Sequence, residues 1–434
     1  MEMNRFAINQ LIAWKEKKSR KPLIIRGARQ VGKTWLMKEF GKQYYEKHAY
    51  INFEDNPKME QLFSLDLNTE RLIEGLSVYS GLAIDENTLI IFDEVQAVPK
   101  ALTSLKYFNE NAPQYQIVAA GSLLGIALHQ GTSFPVGKVE FMDLYPLSFS
   151  EFLCALNHEK YANILKSDNF DLIGTFKTEL IDILKKYMFV GGMPEAVAEY
   201  TVNKDYIKVR EIQTSILKAY ENDFSKHAPN NIVPRIRMLW QSVPRQLAKE
   251  NRKFIYSLIK EGARAREYEL ALMWLVDCGL VYKVNRVSSG NMPLKAYEDM
   301  NAFKLYMVDT GLLCALSGIE VNSLIDGDKF FTDYKGVLTE QFVLQQLIGI
   351  GIQPFYWSSE KSNGEVDFVF QANSKIVPLE VKAAENLQAK SLRSFTDKYK
   401  IKKAARTSLS DFRHDIWLVN LPLYMIEHIK QKIQ

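Results

Sequence analysis

Leu23-Ile24-Ile25-Arg26-Gly27-Ala28-Arg29-Gln30-Val31-Gly32-Lys33-Thr34-Trp35-Leu36-Met37-Lys38-Glu39-Phe40 passes from an apolar run through a glycine-bearing loop into a helical pattern. Gly27, four residues, then Gly32-Lys33-Thr34 is the phosphate-loop spacing, and its flanks carry as much weight as the string. Leu23 to Ile25 read as a buried strand and Trp35 to Phe40 as the helix that the loop feeds. In that setting backbone N–H groups of the loop and of the helix start cradle phosphate oxygens. Lys33 reaches the terminal phosphates and Thr34 holds Mg²⁺. Gly27, Ala28, Arg29, Gln30, Val31, Gly32, Lys33 and Thr34, with Trp35 at the helix entry, are therefore the expected nucleotide-binding residues. ATP and Mg²⁺ are the expected cofactors.

A second half of the same site is expected downstream. Leu89-Ile90-Ile91-Phe92 is an unbroken apolar run of the kind a central parallel strand shows, and it ends in Asp93-Glu94. Carboxylates at that strand end face the ligand crevice. Asp93 is placed to bind Mg²⁺, and Glu94 to orient and deprotonate the attacking water. Ile117 to Ala120 is another apolar stretch, after which Ser122 could reach the γ-phosphate or could belong to a plain Gly-Ser turn. Tyr50 to Phe53 reads as an edge strand, and Val136 to Phe141 opens the last strand of an α/β core over residues 1–150.

The chain has 434 residues, 47% hydrophobic and 24% charged, enough for two or three globular domains. Cys154, Cys278 and Cys314 are odd in number and far apart, so they offer neither a disulfide framework nor metal-ligand spacing, which points to a reducing, cytoplasmic setting. The start lacks an apolar signal core and nowhere do about eighteen apolar residues run together, so neither secretion nor a membrane partner is expected. Net charge is only +4, so affinity for nucleic acid must come from local clustering.

Residues 151–204 read as a helical subdomain interrupted by Gly191-Gly192-Met193-Pro194, a hinge or an interhelix turn. Residues 205–300 read as winged-helix-like: helical stretches, the short apolar segment Leu270 to Val276, then a strand at Gly279 to Val284. Between Arg235 and Arg266 lie nine basic residues and two acidic ones, a run that could neutralise the phosphates of DNA or be a solvated face.

Residues 301–434 hold a second constellation. Glu365-Val366-Asp367-Phe368-Val369-Phe370-Gln371 and Ile376-Val377-Pro378-Leu379-Glu380-Val381-Lys382 read as a β-hairpin turning at Asn373-Ser374. The register sets Phe370 against Val377, Phe368 against Leu379 and Val366 against Val381. It also sets Asp367 opposite Glu380, with Cβ atoms roughly 5 Å apart. Two carboxylates so placed call for a proton or a hard cation, Mg²⁺ or Mn²⁺. Lys382 projects from the same face. Glu340 falls on the stripe of Val343, Leu344 and Leu347, hence inward, where a charge needs a partner. The plainer alternative pairs Glu365 with Lys382 and leaves Asp367 and Glu380 to solvent.

Glu340, Asp367 and Glu380-Val381-Lys382 resemble the PD-(D/E)XK nuclease superfamily, which implies an α/β nuclease-like domain and Mg²⁺-dependent phosphodiester cleavage by Glu340, Asp367, Glu380 and Lys382. The whole chain is similar to a family of prokaryotic AAA-type ATPases whose C-terminal half is a domain of unknown function. The stretches that carry this resemblance are Ile25 to Thr34, Phe92-Asp93-Glu94-Val95-Gln96, Tyr145 to Phe152, Gly191 to Pro194 and Tyr306 to Leu313. Similar proteins often carry Arg where this chain has Lys138. The resemblance implies ATP binding by Gly27 to Thr34, beside the reading of the residues that makes Lys33 and Glu94 catalytic in ATP hydrolysis. Two expectations result: an ATP-driven nucleic-acid enzyme, or an ATP-dependent switch whose nuclease-like domain binds a protein or nucleic acid without cleaving. A homo-oligomer stays open, because an arginine finger has no local signature; Arg210, Arg235 and Arg245 are candidates.

Overall fold

A computed structural model describes residues 4–121, 137–249, 251–320, 330–359, 364–383 and 390–433. Ser122 lies outside them. By its contacts the chain divides into two units, Arg5–Tyr145 with Asp277–Leu280, and Pro146–Val276 with Val281–Gln434.

The first unit is a parallel sheet with helices. In chain order it runs α1 (Ile8–Glu16), β1 (Leu23–Arg26), α2 (Lys33–Tyr44), β2 (Lys47–Asn52), α3 (Pro57–Leu65), α4 (Thr69–Ser80), β3 (Thr88–Asp93), α5 (Pro99–Asn111), β4 (Gln116–Ala120) and β5 (Glu140–Asp143). The strand order is β2-β3-β4-β1-β5, and every pairing is parallel. β2 and β5 are the edges, and for β2 the sequence suggests it. Each residue of β3 and β4 is buried, which is why these strands read as continuous apolar runs rather than alternating ones. Phe53, Phe63 and Phe92 meet edge to face with centroids 5.1 to 6.0 Å apart, a geometry that adds about 0.5–1.5 kcal/mol per pair to simple burial. Sheet order and packing thus bring the C-terminal ends of β1 and β3 to one edge of the sheet.

The second unit opens with helices: α6 (Phe149–Ala155), α7 (Lys177–Val190), α8 (Pro194–Asn203), α9 (Tyr206–His227), α10 (Val233–Leu247) and α11 (Ala265–Asp277). β6 (Val281–Val287), β7 (Glu298–Met307), α12 (Thr310–Leu316) and α13 (Phe330–Gly349) come next. The remainder is β8 (Phe355–Ser358), β9 (Glu365–Ala372), β10 (Lys375–Val381), α14 (Lys390–Tyr399), β11 (Ala404–Ser408), β12 (Arg413–His414) and β13 (Leu418–Pro422). The strands form one mixed sheet, β12-β13-β11-β10-β9-β8-β6-β7.

This differs from the four-segment reading. Leu270 to Val276 is helical, within α11, and the β6–β7 pair expected to close a winged-helix segment at residue 300 does not stand alone. The free edge of β6 is taken by parallel pairing with β8, so both strands complete the C-terminal sheet. The Gly191-Gly192 turn is a fixed joint. The Gly192 N–H donates to Asp309 Oδ2 at 2.6 Å, its carbonyl accepts from Leu147 N at 2.7 Å, and Gly191 takes φ +75°. A Cβ on Gly191 would come within 2.1 Å of Asp309 Oδ1.

Candidate functional site

The phosphate loop is built by two glycines that no other residue could replace. Gly27 has φ +150°, and a Cβ there would lie 2.2 Å from the Leu144 carbonyl oxygen; Gly32 has φ +94° and starts α2. The helix begins at Lys33, two residues before the apolar pattern suggests, so Lys33 and Thr34 belong to its first turn. Lys33 is buried and donates to the Gly27 and Ala28 carbonyls at 2.9 and 2.8 Å. Burial lowers its pKa to about 8, against the opposing charges of Glu94 and Asp93.

Thr34 Oγ1 donates to Asp93 Oδ2 at 2.7 Å, joining the helix start to the end of β3. Tyr50 on neighbouring β2 donates to the same oxygen at 2.9 Å. Two hard oxygens this close, beside a buried ammonium, fit Mg²⁺ with a polyphosphate. Glu94 takes a left-handed backbone, φ +50°, and its Oε2 accepts from Gln96 Nε2 at 2.6 Å; such a conformation costs about 1–2 kcal/mol in a non-glycine residue. Lys138 pairs with Glu110 at 2.9 Å. Trp35 is partly exposed.

The C-terminal acids come together differently from the expectation. The hairpin register holds from Lys375↔Ala372 to Leu379↔Phe368 and the ladder ends there. On its other edge β9 carries a register shift against β8, between Phe355↔Val369 and Trp357↔Val366, and a bulge of this kind re-aims side chains. Val366 and Asp367 consequently do not pair with Val381 and Glu380. Instead Asp367 Oδ2 accepts the Val381 N–H at 2.8 Å.

Glu340 does point inward, as its helical stripe implies, and its neighbours are cations. Lys304 Nζ donates to Glu340 Oε1 at 3.2 Å and pairs with Glu365 Oε1 at 2.5 Å; Arg252 and Tyr306 also donate to Glu340. Burial pushes the Glu340 carboxyl up, but Lys304 and then Arg252 outweigh it and hold it below its usual range. Asp367 has less compensation: burial first and the Glu340 charge second raise its pKa to about 7. The acids sit about an ammonium. Among the described residues no group of three or more His, Cys, Asp or Glu side chains is arranged to hold a metal ion. Glu380 is buried, its Oε1 2.7 Å from Lys382 Nζ, and its Oε2 has no hydrogen-bond partner among the described residues. Glu365 pairs with Lys304, not with Lys382 as in the plainer alternative.

Residues 19–153 match the AAA domain family. The fold of this unit is that of an AAA-type P-loop ATPase. Residues 181–323 and 335–424 match two domains of unknown function, DUF8612 and DUF4143. The chain is similar to the Walker-type ATPase PABY2304 of Pyrococcus abyssi at 16% identity, over 73% of this chain and 96% of that one, with a TM-score of 0.46. The Aeropyrum pernix ORC1 protein in complex with DNA is 13% identical over 72% and 91%, TM-score 0.29. Cdc6p of Pyrobaculum aerophilum is 11% identical over 74% and 92%, TM-score 0.25. At these TM-scores the likenesses assign no substrate or partner. No curated protein matches the chain, and no described helix is long and apolar enough to cross a membrane.

Lys304, and the roles of Arg252 and Tyr306 as partners of Glu340, escape the sequence reading. Lys304 had a signal: it interrupts Ala302-Phe303-Lys304-Leu305-Tyr306-Met307, and a lysine in an apolar strand needs a carboxylate. Arg252 had none, since it was one cation in a basic run. Of that run Arg252 is turned to Glu340, and Arg237 to Ser225 at 2.7 Å.

Proposed function

We propose that the chain is an ATP-hydrolysing switch of the AAA type whose C-terminal domain binds a partner without cleaving it. The observation that carries the second half is the ammonium of Lys304 among Glu340, Glu365 and Asp367, which supplies from within the protein the positive charge a metal would bring. In the ATPase unit Lys33 would leave the loop carbonyls for the terminal phosphates. Thr34 and Asp93 would hold Mg²⁺, whose chemistry is to neutralise charge developing on the phosphoryl oxygens. Tyr50 fixes the Asp93 carboxylate from the adjoining strand, and Glu94, held by Gln96, would orient and deprotonate the attacking water.

A second reading, Mg²⁺- or Mn²⁺-dependent cleavage of nucleic acid at Asp367, Glu380 and Lys382, draws on the unpartnered Oε2 of buried Glu380, an oxygen that a cation would satisfy. Incubating the full chain with labelled linear and branched DNA, ATP and either ion separates the two. The switch reading expects ATP turnover with intact DNA. Cleavage that disappears in Glu380→Ala would establish the nuclease.

A further inference from the structure

One cluster of positive charge lies in the C-terminal domain. Residues 390–403 hold six basic side chains, Lys390, Arg393, Lys398, Lys400, Lys402 and Lys403, against one acid, Asp397, a net charge of +5. The entire chain carries only +4, so everything outside these residues is slightly negative. α14 displays the charge. Leu392, Phe395 and Thr396 turn inward and pack on β9 and β10, while Lys390, Arg393 and Lys398 on the helix, and Lys400 and Lys402 in the segment that follows it, are exposed. Like charges on one helix face cost about 0.2–0.5 kcal/mol per close pair. Here only the Arg393–Asp397 pair at 3.1 Å offsets them. Among the described residues Lys390, Lys400 and Lys402 make no ion pair.

Aromatic rings lie under the same face. The Arg393 guanidinium sits 4.8 Å from the Trp417 ring centroid, and Lys398 Nζ lies 5.0 Å from Tyr399; both rings are partly exposed. We infer that the α14 face, Lys390 to Lys403 with Tyr399 and Trp417, is a docking surface for the phosphate backbone of a nucleic acid. Charge complementarity selects a polyanion. The rise from Lys390 to Lys398 is about 12 Å of helix, over which one strand of a duplex presents about three or four phosphates. A lipid surface is the poorer fit, because an interfacial helix must offer its apolar face to the bilayer, and the apolar face of α14 is spent on the sheet. The longer basic run from Arg235 to Arg266 is also the poorer fit. Arg252 is half-buried against Glu340, Glu250 and Glu261 lie within the run, and exposed Glu267 and Glu269 follow it directly.

This inference rests on the reading of the C-terminal domain as a partner-binding module and names the partner's class. The test is fluorescence anisotropy of labelled single-stranded and duplex DNA with the full chain over a salt series. The triple variant Lys390→Ala, Lys398→Ala, Lys400→Ala is compared with a double variant in α10, Arg235→Ala, Arg237→Ala. The triple variant is expected to bind at least about tenfold more weakly at about 0.1 M salt, with the slope of log K against log salt reduced by about 2–3. Its ATP turnover and thermal midpoint should stay at the wild-type values. Wild-type binding by the triple variant, or a loss confined to the α10 variant, would overturn the placement. Failure of the wild-type protein to bind any nucleic acid would overturn the partner class, while ATP turnover without cleavage would still leave the switch standing.

Discussion

Lys33 is buried and must nevertheless carry charge. Its pKa of about 8 reflects burial working against Glu94 and Asp93, and a bound polyphosphate would raise it again, since a neighbouring anion favours the protonated form. That fixes the sign of the pH dependence. Below about pH 8 the ammonium is already formed and ATP affinity does not depend on this group; above it, binding must take up a proton. Affinity should then fall by up to about tenfold per pH unit, and calorimetry in buffers of different ionisation enthalpy should register the uptake near pH 8–9. Pure pH-independence across that range would remove Lys33 from the phosphate contact. Lys304 presents the opposite balance, its pKa raised because Glu340, Glu365 and Asp367 outweigh its burial. Lys304→Ala strands Glu340 in the interior with one cation fewer, a loss of about 3–5 kcal/mol for a broken buried pair. Urea unfolding of that variant checks the figure, and adding Glu340→Gln should recover part of it.

Elements show where sequence reasoning reaches and where it stops. β1, the loop and α2 were legible because three local signals coincide: an apolar run, glycines at positions of positive φ, and a helical pattern. The hairpin register was legible for the same reason, alternation fixing Phe368 against Leu379. Its far end was not, because the ladder with β10 ends at Phe368 and β9 shifts register against β8, a strand outside the hairpin, so nothing near Asp367 announces it. Asp367 accepts from the Val381 N–H there, and burial with the Glu340 charge raises its carboxyl pKa to about 7. A carboxyl raised in the folded state binds a proton that the unfolded chain releases near pH 4. Its contribution to stability is therefore greatest below about pH 4, falls between about pH 4 and 7, and is constant above. Asp367→Asn should remove that decline, so the thermal midpoint of the variant relative to wild type should rise from about pH 4 to 7. A constant difference across that range would contradict the buried, Glu340-facing environment.

For the whole molecule, the contacts divide the chain at Tyr145/Pro146. The sequence could not show that β6 and β7 join strands more than fifty residues later, since pairing between distant segments leaves no local pattern. It placed the inward Glu340 but not the cations beside it, Lys304 and Arg252, because partners contributed by distant strands and loops are invisible until the chain is folded. The account therefore stands first on the nucleotide site, whose parts come from the start of α2 (Lys33, Thr34) and the end of β3 (Asp93, Glu94), joined by the Thr34–Asp93 hydrogen bond. The most direct test is steady-state ATP hydrolysis with Mg²⁺ by the wild-type chain and by Glu94→Gln, with ATP affinity measured alongside. The account predicts wild-type turnover, unchanged ATP binding in the variant and turnover lowered by about 10²–10⁴-fold. Turnover in Glu94→Gln equal to wild type would contradict it.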